Sequence, residues 1–283
     1  MEDLTRVRFT NLEKLMYPQL RLSKKDVIEY YIRVAPRVLP FLRGRALVRT
    51  RYPDGVEAEG FYEKDAPPGT PGWVRTHVKH SKSAERDTSY VVCDDLDTLL
   101  WLANLASMEL HMPLSRVTDT SKPDFVLFDL DPEPPAGLGE AVQAAVLLRE
   151  ALDERGVKPY VKTSGRKGVH VLVHVEPVHT FRQTREYVHG VARELAARHG
   201  FIVSERRQTN VPGTVLVDHP QNSERSTMVA PYSLRAVREA TVSTPVAWGD
   251  LPSVRPFDHN IFNVPDLAED PWRDIWEQPQ DIT

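Results

Sequence analysis

Cysteine is nearly absent from the sequence, since Cys93 is the only one among 283 residues. A single thiol excludes a disulfide framework and a cysteine-rich zinc site, and it is typical of a reducing compartment. No apolar run approaches the roughly 18 residues that a transmembrane helix needs. The first residues also lack the apolar stretch of a secretory signal. We therefore expect a cytoplasmic protein with no membrane partner.

A large excess of one charge is also lacking, because 36 basic and 40 acidic residues leave a net charge of −4. The charges are nevertheless unevenly distributed. Residues 1–89 carry a net +5, 90–160 a net −8, 161–240 a net +5 and 241–283 a net −6. Two basic blocks around an acidic one suit a phosphate-binding surface beside a metal-attracting centre, although charges scattered over solvated faces give the same pattern.

The predicted elements mix strands with helices, which indicates an α/β or α+β fold. Helical spacing begins at Ser23, where Ser23 and Asp26 form a capping-box pattern, and Pro36 and Pro40 are expected to kink or end this helix. Other helices are predicted from Asp94 or Asp95 to Leu105, at 138–155 and at 180–199, and strands at 89–93, 125–130, 160–163, 169–175 and 215–218. The acidic, Pro-rich tail after residue 241 is expected to wrap the body through aromatic anchors: Trp248, Phe257, Phe262, Trp272 and Trp276.

The sharpest local signal is a pair of carboxylates, Asp129 and Asp131, at the end of an apolar strand. Side chains two residues apart in a strand point the same way, about 6.7 Å apart, so both can hold hard cations such as Mg²⁺ or Mn²⁺. Asp218 also follows an apolar run, and a two-metal site for phosphoryl transfer commonly needs a third carboxylate. Taken singly, these residues are more typical of strand ends and turns.

The segment from Ser164 to His170 has the residue types that a triphosphate requires. It holds two glycines that permit close backbone approach, a hydroxyl, two cations and a histidine. It is not a Walker A loop, because the spacing differs and a strand follows in place of a helix. An ordinary hairpin containing glycine is the alternative interpretation.

Cations alternate with aromatics in one part of the basic N-terminal block. This composition suits stacking on bases together with neutralisation of phosphates, and a strand with core aromatics is the alternative. His111, after an apolar helix, is interpreted either as a site residue or as a half-buried structural histidine. The interleaved residues are Arg49, Arg51, Tyr52, Phe61, Tyr62 and Lys64.

Taken together and in this order, these residues resemble the archaeo-eukaryotic primase superfamily, most closely the polymerase domain of bacterial ATP-dependent DNA ligase D and its stand-alone relatives. The resemblance spans about residues 5–262. Its motifs are Asn11-Leu12-Glu13-Lys14 with Tyr17-Pro18, Arg51-Tyr52-Pro53-Asp54-Gly55, Phe61-Tyr62-Glu63-Lys64, Glu109-Leu110-His111, Phe128-Asp129-Leu130-Asp131-Pro132, Ser164 to His170, Asp218-His219-Pro220-Gln221-Asn222 and Ala230-Pro231-Tyr232-Ser233-Leu234-Arg235.

The resemblance implies a template-dependent nucleotidyltransferase that primes or extends DNA in non-homologous end joining and favours ribonucleotides. Two Mn²⁺ or Mg²⁺ ions would activate the primer 3′-hydroxyl and neutralise the pyrophosphate leaving group. By matching position, the metal ligands and catalytic residues are Asp129, Asp131 and Asp218. The nucleotide-binding residues are His111, Ser164, Lys167, His170 and Arg235. The DNA-binding residues are Arg51, Phe61 and Tyr62, the last two stacking on the template, and Asn11, Lys14 and Lys64, which would hold a downstream 5′-phosphate.

The implied fold is the primase catalytic fold, with mixed, largely antiparallel sheets flanked by helices and an active cleft between two halves. We expect residues 1–283 to form a single primase-polymerase domain. Within it, a basic DNA-binding part would cover about 1–90, a catalytic core about 91–240 and the acidic tail 241–283. The expected partners are DNA with ends, gaps or overhangs, NTPs or dNTPs, and end-binding and ligase proteins. Such a protein would be nucleoid-associated.

The sequence departs from the family pattern before its third aspartate. A basic residue commonly lies there, whereas Arg206 and Arg207 are the nearest cations here, which leaves one triphosphate contact open. A haloacid-dehalogenase-type phosphatase is one alternative, but that motif needs Thr or Val where Glu133 stands. A DNA end-bridging protein that kept the fold without catalysis is the other.

Thr10 and Glu13 fit a capping box, which predicts a helix start at the proposed 5′-phosphate site. The N-terminus of a helix offers free backbone N–H groups and a positive dipole end to a phosphate. The alternative is a plain helix start in which Asn11 and Lys14 face solvent.

Overall fold

The computed structural model describes residues 5–81, 85–206 and 211–282. The chain divides into two compact units. Unit 1 comprises residues 1–113, 229–242 and 259–267, and unit 2 comprises 114–228, 243–258 and 268–283. The single domain predicted from the sequence, and its parts at about 1–90, 91–240 and 241–283, stay predictions, because a division by contacts does not report on function.

Unit 1 contains two helices and a mainly antiparallel sheet. The helices are α1 (Lys24–Leu42) and α2 (Leu96–Asn104). The strands are β1 (Leu15–Tyr17), β2 (Leu22–Ser23), β3 (Ala46–Arg51), β4 (Phe61–Glu63), β5 (Thr76–Ser81), β6 (Arg86–Val92) and β7 (Ser107–Met112). The larger sheet has the order β15-β7-β3-β6-β5, with β4 added beside β3 and the short β15 (Met228–Val229) at one edge.

Helix α1 begins where the sequence predicts. The Ser23 side chain accepts a hydrogen bond from the Asp26 backbone N–H, and the Asp26 carboxylate accepts one from Ser23 in return. The expected end of the helix at Pro36 or Pro40 is wrong, because the helix continues to Leu42, and a kink at these prolines stays a prediction. The buried apolar face of the helix continues past both prolines, so packing outweighs the backbone hydrogen bonds that they remove.

Unit 2 is a six-stranded sheet covered on one face by α3 (Leu138–Asp153) and α4 (Phe181–Arg198). Its strands, in the order β13-β14-β10-β12-β11-β16, are β13 (Ile202–Val203), β14 (Val215–Val217), β10 (Phe125–Pro132), β12 (Val169–His174), β11 (Tyr160–Thr163) and β16 (Pro245–Val246). A separate hairpin joins β8 (Ser115–Arg116) to β9 (Asp119–Pro123).

In these sheets β3 is antiparallel to β4, β6 and β7, β5 to β6, β10 to β12 and β14, and β11 to β12 and β16, whereas β13 is parallel to β14. The predicted α/β (α+β) class with largely antiparallel sheets is therefore confirmed. No helix within the described residues is long and apolar enough to cross a membrane.

The central strand β10 separates core side chains from functional ones. Val126, Phe128 and Leu130 are buried in the core with α3 and α4. Alternation along the strand therefore turns Asp129 and Asp131 to the opposite face of the sheet. The helices therefore cover one face of the sheet, and the two aspartates lie on the other.

The C-terminal tail contributes some of its predicted anchors. Trp272 is buried, and its indole N–H donates to the backbone oxygen of Val161 at 3.0 Å. Trp248 donates similarly to Pro159 at 2.9 Å. Phe257 and Phe262 are exposed, so the expectation that all five aromatics anchor the tail is wrong.

Candidate active site

Three carboxylates converge near the C-terminal end of strand β10 in unit 2. Asp129 and Asp131 lie on this strand, and Asp218 follows β14, which pairs with β10 in antiparallel register. The backbone N–H of Asp218 donates to the Asp129 carbonyl at 2.8 Å. One carboxylate oxygen from each residue lies within 4.8 Å of the others. The structure therefore brings together three aspartates that are far apart in the sequence.

The three negative charges act on one another in a largely buried setting. Burial first, and then repulsion by Asp131 and Asp218, raises the pKa of Asp129 to about 8. Burial also raises the pKa of Asp131, and the Asp218 charge adds to it, while Lys167 acts in the opposite direction. Such a cluster is stabilised by a proton or by a cation. Its all-oxygen donor set fits a hard ion such as Mg²⁺ or Mn²⁺.

Two cations beside the cluster were not predicted as site residues. Lys162 on β11 is fully buried, and its ammonium contacts the Ser243 hydroxyl. It lies opposite His170, which in turn lies opposite Asp129, so the three form one row across the sheet. The Lys162 charge lowers the pKa of Asp129. A lysine inside an otherwise apolar strand is the sequence signal that could have identified it.

Arg206 pairs with the third aspartate. Its Nε lies 3.2 Å from one Asp218 oxygen, and its Nη2 contacts the other. The Arg206 side chain is 67% exposed, whereas that of Asp218 is fully buried. Of the two cations nearest to this position in the sequence, Arg206 thus reaches the cluster, and Arg207 lies outside the described residues.

The loop from Ser164 to Gly168 joins β11 to β12 beside the same cluster. Its shape is fixed by the Ser164 hydroxyl, which accepts a hydrogen bond from the Gly168 N–H at 3.1 Å. A Cβ at Gly168 would lie 2.8 Å from the Leu130 carbonyl, so the close approach of the loop to β10 requires glycine. The Lys167 ammonium donates to the Pro132 carbonyl at 2.8 Å.

His170 is the link between this loop and the carboxylates. Its Nε2 lies 3.4 Å from an Asp129 oxygen. Ser164, Lys167 and His170 are therefore gathered around Asp129 and Asp131 within unit 2. The loop is also the glycine-containing hairpin that the sequence offered as its alternative, since β11 and β12 pair in antiparallel register, and its role at a triphosphate stays a prediction.

His111 and Arg235, the other predicted nucleotide-binding residues, meet in unit 1 through Glu109. One Glu109 carboxylate oxygen accepts from Arg235 Nε at 3.1 Å, and the other lies 3.3 Å from His111 Nε2. Glu109 and Arg235 are both buried. Glu109 belongs to the Glu109-Leu110-His111 motif but was not predicted as a site residue. In the structure its carboxylate orients both Arg235 and His111.

The predicted aromatic platform lies on β4 at the surface of unit 1. Phe61 is 44% exposed and Tyr62 is 54% exposed, so the alternative of core aromatics is wrong for this pair. The Arg51 guanidinium lies over the Phe61 ring at 5.2 Å, and the Lys64 ammonium lies 5.9 Å from the Tyr62 centroid. The Tyr62 ring is 6.0 Å from that of His111. Flat rings flanked by cations are suited to stacking on bases.

The predicted helix start at Thr10 and Glu13 is wrong. Asn11 has a positive φ of 53°, and residues 11–14 form a turn that leads into β1. The first backbone N–H groups of α1 donate to carbonyls of this turn, Lys24 to Lys14 at 2.8 Å. Those amides are thus satisfied within the chain, and a phosphate near Asn11 would depend on side chains. Lys14 lies 2.6 Å from an oxygen of the exposed Asp54.

Comparison with known proteins places this geometry in a known group. The family model described as "LigD, primase-polymerase domain" matches residues 23–276. The bifunctional non-homologous end joining protein LigD of Bacillus subtilis is 32% identical over 98% of this chain, which covers 45% of that protein. The multifunctional LigD of Pseudomonas aeruginosa is 30% identical over 95% of this chain, which covers 32% of it. The chain thus spans less than half the length of these relatives.

A solved structure with the same fold is the polymerase domain from Mycobacterium tuberculosis ligase D in complex with DNA. It is 31% identical in sequence, with a TM-score of 0.86. The match covers 92% of this chain and 93% of the other. The architecture of both units therefore has a counterpart in a domain solved with DNA.

Proposed function

This chain belongs to the LigD primase-polymerase domain family, and from that membership and the geometry of unit 2 we propose that it is a template-dependent nucleotidyltransferase. It would add nucleotides to DNA ends or gaps during non-homologous end joining. The observation that carries the proposal is the convergence of three carboxylates within 4.8 Å of one another, beside the Ser164–Gly168 loop.

The carboxylates would serve as metal ligands. Asp129, Asp131 and Asp218 offer the oxygen donors that Mn²⁺ and Mg²⁺ prefer, and the repulsion among them would be relieved by bound cations. Two such ions, when bound, would lower the pKa of an attacking hydroxyl and neutralise charge on the leaving pyrophosphate. The strand pairing of β10 with β14 would hold the three ligands in place.

The loop residues would hold the triphosphate of the incoming nucleotide. Lys167 supplies a positive charge, Ser164 a hydroxyl and His170 a ring N–H, and charge-assisted hydrogen bonds to phosphate are the stronger kind. Arg235 and His111, both oriented by Glu109, would add further nucleotide contacts. Little covalent chemistry falls to the protein in phosphoryl transfer, so positioning and electrostatics would account for the rate.

Unit 1 would supply the DNA contacts. Phe61 and Tyr62 would stack on template bases, and Lys64 would neutralise phosphates. Arg51, which pairs with Glu63 at 3.2 Å, would support the Phe61 ring at the DNA surface. That a related polymerase domain has been solved in complex with DNA supports this part of the proposal. A preference for NTPs over dNTPs, inherited from the family, is tested by comparing incorporation of each NTP with its dNTP.

The test of this function is an incorporation assay on a duplex with a templating overhang. We expect Mn²⁺-dependent addition of the complementary labelled NTP, with pyrophosphate released. Binding of the DNA without any incorporation would instead support the end-bridging alternative. Release of inorganic phosphate without incorporation would support a phosphatase.

Replacing Ser164 or His170 by alanine is expected to weaken use of the nucleotide. Each change deletes a hydrogen bond worth about 0.5 to 3 kcal/mol, which corresponds to between a few-fold and about a hundred-fold in kcat/KM. Steady-state kinetics with varied NTP would measure this. His174→Gln, four residues along the same strand, is the matched control and should keep wild-type nucleotide kinetics. Unchanged kinetics in His170→Ala would refute the triphosphate role.

Lys14 and Lys64 are expected to favour DNA whose downstream strand carries a 5′-phosphate. The Lys14–Asp54 pair is exposed and can open to admit a phosphate. Two lysine contacts should favour the phosphorylated end by roughly 1 to 3 kcal/mol, and the preference should fade as salt rises. Titration of DNAs with 5′-phosphate or 5′-hydroxyl would measure it.

The test variants for this titration are Lys14→Ala and Lys64→Ala. The matched control is Lys158→Ala. Lys158 is an exposed lysine of unit 2 that pairs with Asp274. The first two variants should reduce the preference and the third should retain it. Equal affinity of the wild-type protein for both ends would refute the phosphate site, and an undiminished preference in both variants would place it elsewhere.

A further inference from the structure

A second cluster of potential metal ligands lies in unit 2, apart from the three aspartates. It consists of His189 on α4, Glu205 just after β13, and His219, which follows Asp218. One ligand atom of each residue lies within 4.8 Å of those of the other two. Neither the family match nor the predicted nucleotide and DNA contacts account for this cluster.

One nitrogen of the cluster, Nε2 of His189, is left without a hydrogen bond among the described residues. Nε2 of His189 lies 2.9 Å from a Glu205 carboxylate oxygen, but not in a hydrogen-bonding direction. This buried nitrogen therefore has no hydrogen-bond partner within the part of the chain that the structure describes. The two imidazole rings are stacked, with centroids 4.2 Å apart and planes 21° apart. A buried ring nitrogen beside a carboxylate is in the position of a ligand atom.

We propose that His189, Glu205 and His219 form a site for a borderline divalent ion of the zinc class. Two imidazoles and one carboxylate are a donor set that zinc accepts, whereas the all-carboxylate cluster suits harder ions. Ligand atoms at roughly 2.0–2.2 Å from zinc in a tetrahedron lie about 3.4 Å apart. The three ligand atoms already lie within 4.8 Å of one another, so a small movement of the side chains would suffice to reach that spacing.

Arg185 competes with the metal for this site. Its Nε donates to Nδ1 of His219 at 3.3 Å. In a metal-bound neutral imidazole, one nitrogen holds the metal and the other a proton, so neither can accept from arginine. Arg185 is exposed on α4 and can turn into solvent. The proposal therefore predicts that removing the Arg185 charge strengthens metal binding.

The experiment uses Co²⁺ as a spectroscopic probe and Zn²⁺ as its competitor. The full chain carrying Asp129→Ala and Asp131→Ala is stripped with a chelator, so that the aspartate cluster does not contribute. We expect one Co²⁺ per chain, with the visible absorption of a four-coordinate site, and displacement by Zn²⁺. Failure of nucleotide addition would not affect this result, because the readout is independent of activity.

Further substitutions in this background identify the ligands. His189→Gln and Glu205→Gln should each weaken binding by at least about tenfold, and Arg185→Gln should tighten it. The His189 and Glu205 side chains are each about one-third exposed, so folding is not at stake, and thermal melts verify this. His199→Gln, at the end of α4, is the matched control and should bind normally. Absence of bound Co²⁺, or unchanged affinity in both His189→Gln and Glu205→Gln, would overturn the site.

Discussion

Replacing Asp129, Asp131 or Asp218 by alanine is expected to abolish nucleotide addition and to leave DNA binding nearly intact. The three carboxylates converge on one point of unit 2 and would repel DNA phosphates. Their removal therefore deletes the metal ligands without removing a DNA contact, and it could even tighten DNA binding. Incorporation assays and DNA titrations on the same preparations would separate the two effects.

A matched control for these variants is Glu133→Gln. Glu133 lies two residues beyond Asp131 and adds to its negative surroundings, but it is not one of the three convergent carboxylates. This variant should keep most of the activity. If any aspartate variant retained more than about a tenth of wild-type turnover, a difference of only about 1.4 kcal/mol, that residue would not be an obligatory metal ligand.

The metal-free protein is expected to lose stability as the pH rises from about 5 to about 8. The folded state raises the pKa of Asp129 to about 8, against about 3.9 in an unfolded chain. Across this interval the folded state binds more protons than the unfolded state, so the free energy of unfolding falls with pH. This contribution is fully present below about pH 4 and is lost as the pH passes 8, with a slope of up to about 1.4 kcal/mol per pH unit.

Denaturant unfolding with a chelator present, at several pH values, would measure this slope. Asp129→Asn should flatten it, whereas Asp153→Asn, an exposed carboxylate on α3, should leave it unchanged. Adding Mn²⁺ at pH 8 should restore stability to the wild-type protein, because a bound cation replaces the proton. Parallel pH profiles for the wild-type protein and Asp129→Asn would contradict the account.

Local patterns in the sequence predicted the elements that carry the site. The Ser23–Asp26 capping box marked the start of α1, and the apolar run before Asp129 marked β10, because both signals depend on neighbouring residues alone. That Asp129 and Asp131 lie on the same face of the strand followed from its two-residue period. Asp218 joined them through the family resemblance, since no local rule states which strand pairs with β10.

Features that depend on tertiary packing escaped prediction. The turn at Asn11 replaces a predicted helix because its carbonyls bind the first N–H groups of α1, a contact across about ten residues. A lysine inside a predicted strand was a signal in the sequence, but the position of Lys162 beside Asp129 depends on a row across three strands that only the register defines. Glu109 likewise acquires its role from two partners, one of them 126 residues away.

Metal binding by the three aspartates is tested most directly by locating Mn²⁺ by anomalous scattering in crystals of the protein grown with a gapped DNA and a non-hydrolysable NTP. We expect manganese peaks among the carboxylates of Asp129, Asp131 and Asp218, with the triphosphate against Ser164, Lys167 and His170. Manganese bound elsewhere, or a nucleotide bound with no manganese at these carboxylates, would contradict it.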